Sequence, residues 1–415
     1  MLKLNSISRE ALMYKSASDD ANTKFALNGK TVSRDSIVSA GRIVTCERVG
    51  KMLNERKGEK YISKLSDDTD YSTFSSNFRD KKFAFCAAQA YKAMGKEFVS
   101  LEAAQDDLSL SSNRTFLEAN AAIDRDVLTP LVFRVFDDIT ANGLMKWESG
   151  RLGDNKEIII QSNDAMILED GAIGTGHSAP ITYLYQDVVN LIPKAKKGTI
   201  CVKYMQAFIN GDPGDYYLAI MNGIYSNIYG YFISTLNALV NNTTYVPAAL
   251  KSTTYTTANF LTVTKRLAAV NRVGREDLVA FGEVDALAQL LPVDGTGGAI
   301  TGLQYGLGEE WFKNGYLQRA GKVDVVEVNP VVVPGTQNSA IATLGTGSNI
   351  FVAAKAGRGY APIYGVYADN SPIMVTIDPT ESGDFRMYIN VTAFYDVKAV
   401  VASKIAIIGS AYPSN

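Results

Sequence analysis

The stretch that decides how this chain folds is NGDPGDYYLAIMNGIYSNIYGYFISTLNALVN, residues 210–241. Its opening NGDPGD is typical of a turn followed by a helix start, with Asp215 expected as the N-cap. The apolar residues that follow recur at helical spacing, so the sequence predicts one long helix. At about 1.5 Å per residue, this helix would be roughly 40 Å long. The stripe expected to pack on the protein comprises Tyr217, Ile220, Met221, Ile224, Ile228, Tyr231, Leu236 and Leu239.

The opposite face of this helix is polar but carries no charge. No Asp, Glu, Lys, Arg or His occurs in residues 216–250. A transmembrane span is disfavoured, because polar side chains such as Asn222 would be costly in hydrocarbon. We therefore expect the polar face to meet protein rather than open water. That face comprises Asn222, Ser226, Asn227, Ser234 and Asn237.

The composition is that of an ordinary globular protein. The 415 residues, 46% of them hydrophobic, suggest two or three linked modules. Lys and Arg number 41 against 43 Asp and Glu, which excludes a strongly basic nucleic-acid wrapper. The only histidine, His177, and the scattered Cys46, Cys86 and Cys201 exclude a Cys/His zinc framework. This cysteine usage fits folding in a reducing cytosol, and residues 1–13 show no secretory signal.

The charge is distributed unevenly along the chain. Residues 1–100 hold 18 Lys and Arg against 12 Asp and Glu, whereas the remainder holds 23 against 31. The positive excess indicates either a solvated helical face or a surface turned toward a polyanion. Helices are predicted for residues 34–56 and 81–98, with residues 67–76 as a polar break. A third helix is predicted for residues 112–140.

Residues 150–210 are predicted to be a long, thin β-excursion. Residues 157–160, 181–186 and 199–207 have extended patterns, and a glycine-rich turn occupies residues 170–180. The excursion contains too few apolar residues to form its own core, so it must pack on something else. Cys201 alternates with Ile200 and Val202 and is expected to be a small packing residue.

The rest of the chain is mixed and then rich in strands. A helix is predicted for residues 256–271, followed by a strand and helix in EDLVAFGEVDALAQLLP at 276–292 and a glycine-rich loop at 295–308. Strands are predicted in VDVVEVNPVVV at 323–333 and in residues 350–354, 363–367 and 373–377. The last predicted strands lie in MYINVTAFYDVKAVVASKIAIIG at 387–409.

Motifs that carry catalysis are not evident in the sequence. GYLQRAGK at 315–322 has the wrong spacing for a phosphate loop, and the residue after its lysine is Val323. His177 sits beside Ser178, and adjacent residues of an extended chain point to opposite sides, which argues against a catalytic triad. We therefore expect no catalytic residues, no metal and no cofactor.

The order of these elements resembles that of the major capsid proteins of tailed bacteriophages, the Hong Kong 97-like fold that encapsulins share. The resemblance covers residues 112–415 and implies an α+β fold. It implies an N-terminal arm at 112–149, an extended β-hairpin loop at 150–210, a peripheral domain with the long spine helix at 211–245 and 384–415, and an axial domain at 246–383. Residues 1–111 would be a mostly helical N-terminal extension that could face inward and be either cleaved or retained.

The resemblance also implies a function and contact residues. The chain would self-assemble through hexamers and pentamers into an icosahedral or prolate viral head around double-stranded DNA, with portal, scaffold and cement or decoration proteins as partners. The tip of the extended loop would contact a neighbouring subunit through Glu169, Asp170, Gly171, Gly174, Gly176, His177 and Pro180. The axial loop would contain Gly295, Gly297, Gly298 and Gly302. The alternatives are an encapsulin-like compartment and, in another class, a soluble enzyme or carbohydrate-binding protein.

Overall fold

The structure is a computed structural model that describes residues 24–27, 30–56, 60–141, 145–161, 181, 186–290, 315–336, 339–345, 348–355, 361–379, 385–400 and 403–409. Helices and strands both occur, which confirms the predicted α+β class. The chain forms two compact units. The first comprises Met1–Asp138, Lys194–Tyr225 and Ala368–Tyr395, and the second comprises Ile139–Pro193, Ser226–Tyr367 and Asp396–Asn415.

The elements that the structure describes are numbered in chain order. The α-helices are α1 (Arg34–Thr45), α2 (Lys51–Arg56), α3 (Tyr71–Ala93), α4 (Leu101–Asp106), α5 (Arg114–Ala141), α6 (Pro213–Leu239), α7 (Thr257–Asn271) and α8 (Val284–Leu287). The strands are β1 (Lys24–Leu27), β2 (Lys30–Ser33), β3 (Lys146–Gly150), β4 (Lys156–Gln161), β5 (Gln186–Leu191), β6 (Lys194–Lys203), β7 (Lys251–Ser252), β8 (Leu278–Gly282), β9 (Arg319–Ala320), β10 (Val323–Glu327), β11 (Val331–Val332), β12 (Ile341–Ala342), β13 (Ile350–Ala354), β14 (Ile363–Ala368), β15 (Ile373–Pro379), β16 (Arg386–Ala399) and β17 (Ala406–Ile408).

Helices α1, α3 and α5 of the first unit approach each other closely at Gly41. A Cβ at this position would lie 2.7 Å from Val127 Cγ2 and 2.9 Å from the ring of Phe78, so glycine fits where a larger residue would not. Nearby, the rings of Phe83 and Phe116 pack edge to face with their centroids 5.3 Å apart. Helix α5, which the resemblance implies to be an arm, therefore contributes to the core of this unit.

The first two predicted helices have different boundaries in the structure. Helix α3 begins at Tyr71 rather than at residue 81, because Asp70 caps it and accepts a hydrogen bond from Thr73 N at 3.3 Å. Its serine-rich start resembles a break in sequence, yet Ser75 is buried and donates to Asp212 from 137 positions away. The helix predicted for residues 34–56 is interrupted by a π-helical turn, Cys46–Gly50.

One buried ion pair connects α3, α5 and α6. Lys82 of α3 pairs with Asp124 of α5, and both side chains are almost fully buried. Lys82 Nζ also donates to Tyr216 Oη at 2.8 Å, and Tyr217 Oη donates to Asp124 Oδ1 at 2.6 Å. Burial by itself would lower the pKa of Lys82, but the charge of Asp124 outweighs this effect and raises it. The lysine is therefore charged inside the core.

A second buried ion pair attaches α1 to α5. Arg34 Nη2 lies 2.7 Å from Asp126 Oδ2, and both side chains are buried. About two helical turns further along α1, Arg42 donates to the backbone oxygen of Asp126 from Nε at 3.2 Å and from Nη2 at 2.9 Å. These contacts make the N-terminal helices part of the first unit's core.

In the first unit, three antiparallel strands lie in the order β6–β16–β15 and form part of a larger sheet. Strand β16 is central and pairs with β15 on one side and with β6 on the other. Its inward-facing side chains, which include Met387, Ile389 and Val391, are buried. Strand β6 falls in the range predicted to be an extended loop, but it is a full strand of this sheet.

The second unit is built on a six-stranded sheet in the order β7–β17–β13–β8–β10–β9. Strand β8 is central, parallel to β10 and antiparallel to β13, and all five of its residues are buried. Helix α7 packs on this sheet through Phe260 and Leu267. Its N-cap is Thr256, one of the two adjacent threonines that the sequence offers for this role, and its hydroxyl accepts from Asn259 N at 3.0 Å.

Two predicted C-terminal strand segments are divided in the structure. Residues 323–333 become β10 and β11, which Pro330 separates because it cannot donate a ladder hydrogen bond. Residues 387–409 become β16 and β17, which lie in different sheets. Strand β17 pairs with β13, where Ile407 lies opposite Phe351.

We expect Lys82→Met to lower the free energy of unfolding by about 3–5 kcal/mol, because Asp124 would remain buried without its cation. Urea denaturation followed by circular dichroism would measure the loss. The matched control is Lys81→Met on the same helix, which changes an exposed lysine and should shift stability by less than about 0.5 kcal/mol. Equal losses of stability from the two substitutions would contradict the stabilising role of the Lys82–Asp124 ion pair.

Candidate assembly surfaces

Two groups of contact residues implied by the resemblance lie outside the described residues. These are the extended-loop tip (Glu169, Asp170, Gly171, Gly174, Gly176, His177 and Pro180) and the axial loop (Gly295, Gly297, Gly298 and Gly302). The structure does describe the strands that flank the first group in sequence, β4 and β5, and the long helix α6. These elements carry the candidate surfaces.

Strands β4 and β5 form an antiparallel pair with one covered and one open face. On the open face, Ile159 lies directly across from Val188, and these residues are 53% and 45% exposed. An apolar cross-strand pair in this position can be covered by another protein. The covered face packs into a buried cluster that comprises Ile158, Leu191, Ala361, Tyr364, Val366 and Val400.

An ion triplet fixes the first residue of β4 to β3. Lys146 and Lys156 flank Glu148, with nitrogen–oxygen distances of 3.1 and 3.4 Å. Burial by itself would raise the pKa of Glu148, but the two lysines outweigh this effect and hold the pKa below its usual range. The strand pair is therefore anchored at this end, while Ile159 and Val188 remain open.

Helix α6 buries the predicted stripe except at Tyr231. Seven of the eight residues of the stripe are buried: Tyr217, Ile220, Met221, Ile224, Ile228, Leu236 and Leu239. Tyr231, grouped with them in sequence, is 40% exposed, and its assignment is corrected accordingly. The first half of α6 belongs to the first unit and the second half to the second unit, so the buried face changes along the helix. Tyr231 falls outside the face buried in the second half.

The polar face of α6 is used partly within the chain. Asn237 Nδ2 donates to Thr343 O at 3.1 Å, and Asn237 Oδ1 accepts from Gly345 N at 2.7 Å. Earlier in the helix, a groove of about 270 Å³ remains open beside β11 and β12. Its lining is uncharged and includes Asn227, Tyr231, Val333 and Pro334. The expectation that this face meets protein is therefore met within the chain at Asn237, and the groove leaves room for another partner.

The start of α6 differs from the prediction. The helix begins at Pro213, and Asp212 rather than Asp215 accepts from the free backbone N–H groups, with Oδ1 2.9 Å from Gly214 N. A Cβ on Gly214 would lie 2.3 Å from Tyr71 Oη, so glycine allows this close approach. Asp215 instead forms an ion pair with Arg48 at 3.2 Å.

Asp212 also connects α6 to the N-terminal helices. Arg48 Nη2 lies 2.7 Å from Asp212 Oδ2, Tyr71 Oη donates to the same oxygen at 3.0 Å, and Ser75 Oγ donates to Oδ1 at 2.5 Å. Burial by itself would raise the pKa of Asp212, but the hydrogen bonds from Ser75 and Arg48 outweigh it and lower the pKa. No pattern local to residues 67–76 could have revealed this contact.

The three cysteines differ in accessibility. Burial raises the pKa of Cys46 and of Cys86 to about 12, so neither is a reactive thiol. Cys201, expected to be a packing residue, is exposed, because strand alternation places it on the solvent side of β6. The sequence could not distinguish the two faces of this strand.

In the described part of the chain, no group of three or more His, Cys, Asp or Glu side chains is placed to bind a metal ion. None of the helices described combines the length and apolar character that crossing a bilayer requires. His177 lies outside these residues.

Several solved structures are similar to this chain. The bacteriophage PhiM1 mature capsid is 11% identical, with 64% of this chain and 85% of that chain covered and a TM-score of 0.41. The capsid of cyanophage P-SCSP1u is 10% identical, with 65% of this chain and 87% of that chain covered and a TM-score of 0.39. The holo-SrpI encapsulin complex of Synechococcus elongatus PCC 7942 is 10% identical, with 66% of this chain and 88% of that chain covered and a TM-score of 0.36. No family model and no curated protein matches in sequence. Tailed-phage capsids thus recur among the similar structures, as the element order predicts, but likenesses with TM-scores below 0.5 do not assign a function.

We expect acid to weaken the attachment of the N-terminal helices to α6. Because folding lowers the pKa of Asp212, its stabilising effect is present above its unfolded pKa, about 3.9, and is lost as the pH falls through the folded value. Urea midpoints measured between neutral pH and about pH 3 should therefore fall more steeply for the wild type than for Asp212→Asn.

Asp68→Asn is the matched control for this acid dependence, since Asp68 is exposed. Its pH profile should follow that of the wild type. Parallel profiles for wild type and Asp212→Asn would show that the carboxylate does not carry the effect.

Proposed function

We propose that this chain is the structural subunit of a viral head, which self-assembles through hexamers and pentamers into a closed icosahedral or prolate shell around double-stranded DNA. The observation that supports this most is the β4–β5 strand pair. Its inner face is completed by the chain's own cluster, whereas Ile159 and Val188 remain exposed on the outer face. The occupant that we infer for the outer face is a second copy of the chain.

A repeated subunit can leave such a face open because the next copy covers it at every position. A contact between two different patches generates a ring when the rotation closes, which suits hexamers and pentamers. Fully burying an Ile or Val side chain contributes about 1.5–3 kcal/mol relative to leaving it exposed. Single contacts of this size are weak, so a shell built from them would be stable only through many copies.

The uncharged groove beside α6 is a second surface suited to the same role. It is lined by small polar and apolar residues and by the exposed ring of Tyr231. Covering it requires no charge to leave water, which would otherwise oppose association. We infer that a neighbouring subunit covers this groove in the assembled shell.

Other parts of the chain would take further roles in the shell. The strands of the six-stranded sheet other than β17, together with α7 and α8, would form most of the axial domain at 246–383, and β17 from the range 384–415 pairs with β13 in that sheet. Helix α6 and β16 would belong to the peripheral domain at 211–245 and 384–415. The subunit would be located in the virion, and portal, scaffold and cement or decoration proteins would be its partners.

We further infer that the N-terminal helices stay in the mature subunit. Removing residues up to 111 would leave Asp124 and Asp126 buried without Lys82 and Arg34. Intact-mass spectrometry of subunits from assembled particles should therefore give a chain that still contains residues 34–111. A mass that corresponds to a start after Arg34 would contradict this inference.

Ile159→Asp should leave the fold intact but prevent shell formation. Because Ile159 is exposed, its substitution should change the free energy of unfolding by less than about 0.5 kcal/mol, whereas a charge would oppose burial against a neighbour. Negative-stain electron microscopy and analytical ultracentrifugation should show wild-type shells and a dispersed variant.

Ile159→Val and Glu157→Gln are the matched controls, and both should assemble. Normal shells from Ile159→Asp would refute the role of the strand pair. A wild-type protein that stays at 45.0 kDa would refute the shell and favour a soluble enzyme or carbohydrate-binding protein. Shells that hold a protein cargo instead of DNA would favour an encapsulin-like compartment.

A further inference from the structure

Strand β6 carries an unusual concentration of positive charge for a sheet strand. Its sequence, KAKKGTICVK, contains four lysines and no acidic residue. In the part of the chain that the structure describes, β16 is its only strand partner, so β6 is an edge of its sheet. Exposed edge strands are places where proteins tolerate lysine, and also places where they meet partners.

The register shows which side chains share the exposed face of this sheet. Lys197, Thr199, Cys201 and Lys203 alternate along β6 on one face. The residues opposite them on β16 are Thr392, Asn390, Tyr388 and Arg386, and Tyr388 is 43% exposed. The next strand adds Met374, Thr376 and Asp378. This "basic sheet face" therefore combines three cations, several hydroxyl and amide donors, and one carboxylate.

Two features of the basic sheet face favour an anionic ligand. Lys203 lies directly opposite Arg386, and like charges in a cross-strand pair repel each other. Neither Lys197 nor Lys203 forms an ion pair with an acidic side chain in the described residues. The single acid of the face, Asp378, accepts a hydrogen bond from Asn390 Nδ2 at 2.6 Å. A negatively charged group placed over Lys197 and Lys203 would supply the counter-charge that no acidic side chain of the described residues gives these two lysines.

The excess positive charge of residues 1–100 has a different use. Arg34, Arg48 and Lys82 all pair with acids of α5 or of the α6 start, so they are not available to an external polyanion. The sequence hypothesis of an N-terminal surface turned toward a polyanion therefore loses part of its support. The basic sheet face is a better candidate, because Lys197 and Lys203 are exposed and form no ion pair with an acidic side chain of the described residues.

We propose that the basic sheet face binds the phosphate backbone of double-stranded DNA without reading its sequence. At about 3.3 Å per residue, Lys197 and Lys203 are roughly 20 Å apart along β6. Duplex DNA carries one negative charge per about 1.7 Å of its axis, so this distance spans many phosphates. The Thr392 hydroxyl and the second N–H of the Asn390 amide can add hydrogen bonds to phosphate oxygens, whereas the Thr199 hydroxyl already donates to Asn390 Oδ1. The inference rests on the proposed function, since the enclosed DNA would be the ligand.

The test measures binding of a fluorescein-labelled random 20-base-pair duplex to the unassembled full chain by anisotropy at 50–200 mM salt. Lys197→Gln/Lys203→Gln should weaken binding to every duplex sequence alike. It should also reduce the slope of log affinity against log salt by about 2, because each lysine–phosphate contact contributes about 1. The matched control is Lys81→Gln/Lys92→Gln, which removes two exposed lysines of α3 and should leave the slope unchanged.

Cys201 provides a second readout that needs no substitution. It lies on the basic sheet face between Lys197 and Lys203, whereas Cys46 and Cys86 are buried. A maleimide reagent should therefore label Cys201 first, and added duplex should slow that labelling several-fold. Poly-L-glutamate of equal charge should protect it less, because it does not match the duplex backbone.

Three results would overturn the inference. They are equal loss of DNA affinity in both double variants, unchanged labelling of Cys201 with DNA, and equal protection by poly-L-glutamate. If Lys197→Gln/Lys203→Gln only aggregates, with its soluble fraction binding DNA as the wild type does, the lysines protect the sheet edge and the inference fails. Electron microscopy separates this outcome from the proposed function, since the variant should still form shells but with less DNA inside.

Discussion

The first unit of this protein depends on the charged pair formed by Lys82 and Asp124. Two opposite charges in a core are tolerated only when each compensates the other and the remaining hydrogen-bonding capacity is used. Here Tyr216 and Tyr217 supply part of that capacity, and they come from the first turn of the long helix. The pair therefore fixes three helices from distant parts of the chain in one arrangement. Substituting apolar residues could make the core equally stable, but it would not select this arrangement of the helices.

The same constraint explains the uneven charge of the chain. Charge counts along the sequence, with a positive N-terminal region and a negative remainder, suggest a positively charged surface. In the folded unit, Arg34, Arg48 and Lys82 instead pair with Asp126, Asp212 and Asp124. The asymmetry is thus partly complementarity between two segments of one chain. The positive charge that we propose for an external partner lies elsewhere, at Lys197 and Lys203 of β6.

The β4–β5 pair and the long helix α6 each bury one face within their own chain and leave another face open. The β4–β5 pair buries Ile158 and Leu191 but exposes Ile159 and Val188. The long helix satisfies Asn237 internally but leaves an uncharged groove beside Tyr231. A protein that acted alone would gain stability by closing these faces. Leaving them open is useful when identical neighbours supply the cover, and this is the physical reason for proposing a shell.

The sequence by itself determined the long helix, the α+β class and the buried strand β8, because the periodicity of apolar residues is a local property. It did not determine the start of α3, the exposure of Tyr231 and Cys201, or the use of the N-terminal cations. Each of these depends on a partner far along the chain or on which of two faces is covered. A helical stripe in the sequence shows that one face of the helix is apolar. Only the packed structure decides which side chains of that face are buried at each position along the helix. For the same reason the basic face of β6 could be recognised only from strand register, since alternation along one strand does not show which side chains of its neighbours share a face.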